Sequence, residues 1–176
     1  MHNCQDLIRI FDQCFYQSYR TRLVGGAEEP LYTPATSKRC AYIYFTRDYF
    51  SSALHEIAHW CIAGEQRRQQ EDYGYWYRPD GRTAEQQKEF ERVEVEPQAL
   101  EWVLSACCNL RFRVSADNLT GTAGTSEEFK NAVYHQACRF LAGNLLDRPN
   151  TFICRLTDFY RQGHLPEPSE FNPELI

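Results

Sequence analysis

Apolar positions along the chain fall into helical stripes, interrupted by one short aromatic run. Leu7, Ile8, Ile10, Phe11, Cys14 and Phe15 form a stripe behind the start signal of Asn3 and Asp6, and Gly25-Gly26 is expected to close that helix. Residues 27–38 carry Pro30 and Pro34 and read as loop, whereas residues 39–45 are aromatic and β-branched and predict a strand. A helix follows, opening near Asp48 or Ser51 and stopping at Gly64. Residues 65–82 are polar, with Gly74, Pro79 and an Asp80-Gly81 turn signal.

Residues 83–112 are mostly helical, with Leu100, Val103, Leu104 and Cys107 on one face; Pro97 marks either a start or a kink. Thr125-Ser-Glu-Glu128 predicts a capping box before a helix that buries Phe129, Val133, Ala137 and Phe140. Asn150 or Thr151 caps a last helix with Phe152, Leu156, Phe159 and Tyr160, and residues 164–176 read as an irregular wrap or frayed end. The expected fold class is α+β, predominantly α-helical, with a small β-sheet beside the helix of residues 51–64. One domain over residues 1–176 accommodates it, since 176 residues supply one sizeable core rather than two.

Composition narrows the function. The net charge of −5 gives no general attraction for nucleic acid or an anionic membrane, and no apolar run approaches a membrane span. Eight cysteines form no C-x-x-C pair, and the chain opens without the pattern of a secretory signal; reduced thiols in a cytoplasmic protein are expected. Asn118-Leu-Thr120 matches a glycosylation acceptor, a match that is accidental in that compartment.

The chemistry concentrates in "SSALHEIAHWCIAG", residues 51–64. Residues four apart on a helix differ in direction by roughly 40°, so His55 and His59 project from one face and can share a metal ion. Leu54, Ile57, Ala58 and Cys61 give the same helix a core side, the firm support that a metal site needs. Two histidines beside a core also occur without any metal, but this spacing with Glu56 between them favours a site. Two imidazoles need a further ligand. His2 and His164 lie near the ends and His135 on a helix flank, so the carboxylates of "ERVEVEPQALEW" are better placed. Among Glu94, Glu96 and Glu101 the preference is Glu96, because Glu96-Pro-Gln-Ala99 has the E-x-x-A form in which many HExxH proteins supply a carboxylate ligand. All three acids could equally be helix-start residues favoured by the helix dipole. With zinc, this ligand set hydrolyses peptides, with Glu56 taking a proton from bound water. With iron, it matches a facial triad that activates dioxygen.

The stretches "ALHEIAHWCIAGEQRRQQEDYGYWYRPDGR" and "EVEPQALEW" resemble the elongation factor P hydroxylases, and the likeness extends over essentially the whole chain. The resemblance implies an oxygen-dependent, metal-using hydroxylase of the β-lysylated lysine of translation elongation factor P, with a zincin-like arrangement of the metal site. It implies Fe(II) with dioxygen as co-substrate, zinc being a possible substitute, and elongation factor P as partner. His55 and His59 are then the imidazole ligands, Glu96 the chosen carboxylate, and Glu56 a proton-handling group. A long cationic arm wants aromatic walls and carboxylates, which Tyr73, Tyr75, Trp76 and Tyr77 with Glu71 and Asp72 provide in one loop. Trp60 reads as core. Arg67, Arg68, Arg78 and Arg82 read as a solvated face that could also dock an acidic partner. A zinc peptidase is the alternative. A metal that merely staples helices is least favoured, because no Cys-rich closed set exists.

Overall fold

A computed structural model describes residues 2–72, 82–115 and 125–176. Its elements run α1 (Cys4–Tyr19), β1 (Thr21–Ala27), β2 (Leu31–Thr33), β3 (Ala41–Thr46), α2 (Phe50–Ile62), α3 (Ala84–Cys107), α4 (Glu127–Leu141) and α5 (Asp147–Arg161), with short 3-10 turns after α2 and in the C-terminal tail. The mainly helical α+β architecture expected from the pattern is present. The sheet has the order β1-β3-β2, with β1 parallel and β2 antiparallel to the central β3. Strict alternation along β3 buries Ala41, Ile43 and Phe45 on one face, where α2 packs.

Two expectations fail in the first third of the chain. The Gly25-Gly26 pair does not end a helix: α1 stops at Tyr19, where Arg20 takes a left-handed conformation, and the glycines belong to β1. Gly25 is required by close approach, since a Cβ there would meet the Phe45 ring at 2.8 Å and Asp48 Oδ1 at 2.9 Å. Gly26, at φ 84°, lies in the register shift of β1 against β3. The region 27–38 is not all loop, because Leu31–Thr33 adds the antiparallel edge strand.

Helix starts follow side-chain chemistry. Asn3 caps α1, Thr83 and Gln86 form a capping box on α3, and Ser126 caps α4 by accepting from the Phe129 amide. The last helix starts four residues earlier than Thr151, at Asp147, with no side-chain cap. The core is one cluster joining the sheet and all five α-helices; Phe11, Phe15, Leu54, Ile57, Leu100, Leu104 and Phe152 are fully enclosed. The C-terminal tail is a wrap rather than a frayed end, anchored by buried Phe171 packing 5.0 Å from Trp102 and by a two-bond Arg161–Glu170 ion pair. All eight cysteines are free thiols, and burial pushes Cys61 and Cys107 up to about 12. Among the described residues no helix is long and apolar enough to cross a membrane.

Candidate metal centre

Helix α2 buries Ala53, Leu54, Ile57, Ala58, Trp60 and Cys61, which leaves His55 and His59 on the edge of its core side, facing α3. Its C-terminus is held firmly. The Ala63 carbonyl accepts from both Arg68 and Arg148, and the Arg148 guanidinium stacks 4.9 Å from the Trp60 ring. Trp60 is therefore core, as its sequence position suggests.

Three ligand atoms converge. His55 Nε2 lies 3.0 Å from His59 Nε2, and the Glu94 carboxylate reaches His59 Nε2 at 3.3 Å and His55 Nε2 at 3.8 Å. Atoms of these three residues fall within 4.8 Å of one another, the only such group of three among the described residues. The carboxylate gathered with the imidazoles is thus Glu94, where the sequence pattern favoured Glu96. Glu96 is exposed, and two residues along a helix place it roughly 200° round from Glu94. Glu101, the third candidate, stands behind the pair: its carboxylate accepts from His55 Nδ1 at 2.8 Å.

That bond decides what His55 can do. A carboxylate only accepts, so Nδ1 carries a proton and Nε2, aimed where His59 and Glu94 also point, is the nitrogen left to meet a metal ion once its own proton is displaced. Glu94 is itself steered by Gln98, a fully buried amide whose oxygen accepts from the Ser115 amide N–H at 2.9 Å. Its NH₂ group donates to the Ser115 carbonyl at 2.8 Å and to Glu94 at 3.3 Å. Only one orientation of that amide satisfies Ser115, and it directs the NH₂ group at the carboxylate.

The electrostatics favour a cation at this point. Burial opposes charge on His55, but the hydrogen bond to Glu101 and the carboxylates of Glu101, Glu94 and Glu56 outweigh it and hold the imidazole well above its ordinary value. Burial likewise opposes ionisation of Glu94, yet His59, His55 and Gln98 bring its carboxyl down to about 2. Glu56, enclosed beside the histidines, is raised mainly by burial. Two imidazole nitrogens and an ionised carboxylate around one point, with open space on one side, suit a divalent metal of intermediate softness.

The open side is a cavity of about 540 Å³, bounded by α3, the end of α2 and the sheet; Glu56, His59, Glu94, Glu96, Tyr32 and Asp72 contribute to its wall. Of the residues expected to receive substrate, Asp72 lies on this wall, bound to Arg67 at 2.7 Å and bridged to Tyr32, while neighbouring Glu71 is exposed and outside it. Tyr73, Tyr75, Trp76 and Tyr77, and Arg78 after them, lie outside the described residues.

The sequence profile of the family described as elongation factor P hydroxylase matches residues 10–170. This chain belongs to that family. It is 51% identical over 161 residues to the elongation factor P lysine hydroxylase of Haemophilus influenzae, covering 90% of each chain. Coverage of that extent takes in the α2 and α3 segments that build the centre.

Sequence reasoning passed over Gln98 and the tethering position of Glu101. A signal for both exists: Glu94, Gln98, Glu101 and Ser105 recur at i, i+4, i+7 and i+11, a polar stripe carried into the buried half of a helix.

Proposed function

We propose that this protein is a metal-dependent hydroxylase of the lysine of elongation factor P, in its β-lysylated form, working in the cytoplasm with iron(II) and dioxygen. The observation that carries this reading is the convergence of His55, His59 and Glu94, the last two on the wall of a cavity that also carries further carboxylates and three arginines, in a chain of this family. On this reading the two helices carry the metal ligands in a zincin-like manner, with Glu94 in the carboxylate role.

Bound iron(II) would supply the electron transfer to dioxygen that side chains alone cannot perform. The protein's own part is to hold, orient and exclude. Glu101 locks the tautomer and plane of His55, Gln98 aims Glu94, and the apolar side of α2 fixes both imidazoles against rotation. Inserting one oxygen atom into a C–H bond while the other becomes water consumes two protons and two electrons. Glu56 lies on the cavity wall next to His55, and its burial-raised pKa makes it the group suited to hold and pass one of those protons. The cavity's carboxylates suit a cationic lysine arm, and Ile43, Trp60, Ile62 and Val93 flank its alkyl portion.

The test is reconstitution of metal-free protein with iron(II), then exposure of lysylated elongation factor P to it under air with a reductant. The expected product gains the mass of one oxygen atom on that lysine, and none forms without oxygen. Peptide cleavage with zinc and no mass gain with iron would replace this reading by the peptidase alternative. Full hydroxylation by a His55→Ala, His59→Ala double variant would remove the metal from the account.

A further inference from the structure

We propose that the Glu96 carboxylate and the Val93 main-chain carbonyl form a seat for a primary ammonium group, beside the metal centre on the α3 wall of the cavity. The inference rests on the lysine-directed reading above and names the residues that recognise the arm's charge.

The first observation is an imbalance of partners. Three of the other acids on this wall are engaged. Asp72 takes two bonds from Arg67, Glu89 takes two from Arg92 at 2.6 and 2.8 Å, and Glu94 serves the histidines and Gln98, while Glu56 is half-buried beside the histidines. The cations are engaged as well, Arg68 through the Ala63 carbonyl. Glu96 alone among these acids is solvent-exposed on the wall with no hydrogen bond or ion pair to a described residue.

The second observation is independent and lies in the backbone. Pro97 sits inside α3 and has no N–H, so the Val93 carbonyl, four residues earlier, lacks the donor that a regular helix would give it. A proline in a helix interior costs about 3 kcal/mol in general, so its position is informative. Val93, Glu96 and Pro97 all line the same cavity, and the carbonyl without its regular helical donor belongs to the residue one turn before the unpaired carboxylate. An ammonium group has three donors and no acceptor, and a carboxylate plus such a carbonyl answers two of them. A metal ligand at Glu96 would not require this carbonyl, and a solvated surface acid would not require the cavity.

The test uses the intact protein, Glu96→Gln, Pro97→Ala and two probes. Lysylated elongation factor P reports KM, and cadaverine against the neutral isostere 1,5-pentanediol reports binding by intrinsic fluorescence of the metal-free protein. Glu96→Gln should raise KM about tenfold or more, the loss of a charge-assisted bond, with a smaller change in kcat and unchanged bound iron. Cadaverine, but not 1,5-pentanediol, should bind the unmodified protein, and both variants should weaken it. Pro97→Ala, which returns an amide donor to Val93, should weaken it less than Glu96→Gln. Equal binding of the two probes, or an unchanged cadaverine affinity in Glu96→Gln, overturns the seat. Loss of iron in Glu96→Gln overturns it in favour of a ligand role. Failure of the unmodified protein to hydroxylate its substrate defeats the functional reading alone, because the cadaverine arm needs no turnover.

Discussion

The two halves of α3 differ as sharply as two separate elements would. From Ala84 to Val95 the helix is largely solvent-facing, with only Phe90 and Glu94 buried, and its charges pair locally, as in Glu89–Arg92. From Pro97 to Ser105 every residue is buried, polar Gln98, Glu101 and Ser105 included. One helix therefore packs into the core with its second half and lines the cavity with its first. Glu94 sits near the junction, a buried acid in the exposed half. On the proposed reading the metal is supported from the junction and the buried half while the substrate meets the exposed one, and substitutions should separate the two.

The largest effect belongs at Glu94. Glu94→Ala should reduce bound iron to background and abolish hydroxylation, measured by metal analysis after dialysis and by substrate mass, while the fold persists by circular dichroism. Retained iron would break the assignment of Glu94 and return attention to its neighbours. Next comes Glu101, which acts through His55. Glu101→Ala should lower iron affinity about 10- to 100-fold, read by competition with a chelator. Glu101→Gln, whose amide oxygen can still accept from Nδ1, should recover part of that loss. Equal losses in the two variants would mean that the negative charge, rather than the hydrogen bond, is what His55 needs.

Gln98 gives a smaller and mixed effect. Gln98→Leu removes the aim of Glu94 and the two hydrogen bonds between the Gln98 amide and the Ser115 main chain. About 1–3 kcal/mol of stability should go in denaturant unfolding, together with about a tenfold loss in iron affinity. A stability loss with iron affinity intact would make Gln98 a purely structural tether for residues 111–115.

How far these roles were visible beforehand follows from where their determinants lie. His55 and His59 are legible because spacing within one helix fixes their relation whatever packs around it. Glu94 is not legible in the same way: Glu94, Glu96 and Glu101 are all acids close together on one helix, and which one meets α2 depends on how α3 is rotated. That rotation is set by the burial of Ala99, Leu100, Val103 and Leu104 after Pro97, so the selection is tertiary. The short E-x-x-A pattern selects the wrong helical face for this purpose. β1 was hidden for a related reason: Gly25-Gly26 is a strong local stop signal, and only the approach of the Phe45 ring from β3 explains it as strand.

The smallest expected effect tests the insulation of the exposed half. Thr83 accepts from the Gln86 amide, while the Gln86 side chain answers the Thr83 amide, so two N–H groups at the start of α3 are satisfied. Thr83→Ala should cost about 1 kcal/mol, a fall of about 2–4 °C in Tm for a chain of this size. Iron affinity should not change, since Thr83 lies about three turns before Glu94, which is held by Gln98 and by the core around α2. A drop in iron affinity comparable with that of Gln98→Leu would mean that fraying travels along the helix into Glu94, and that α3 behaves as one rigid rod rather than as two stretches with separate duties.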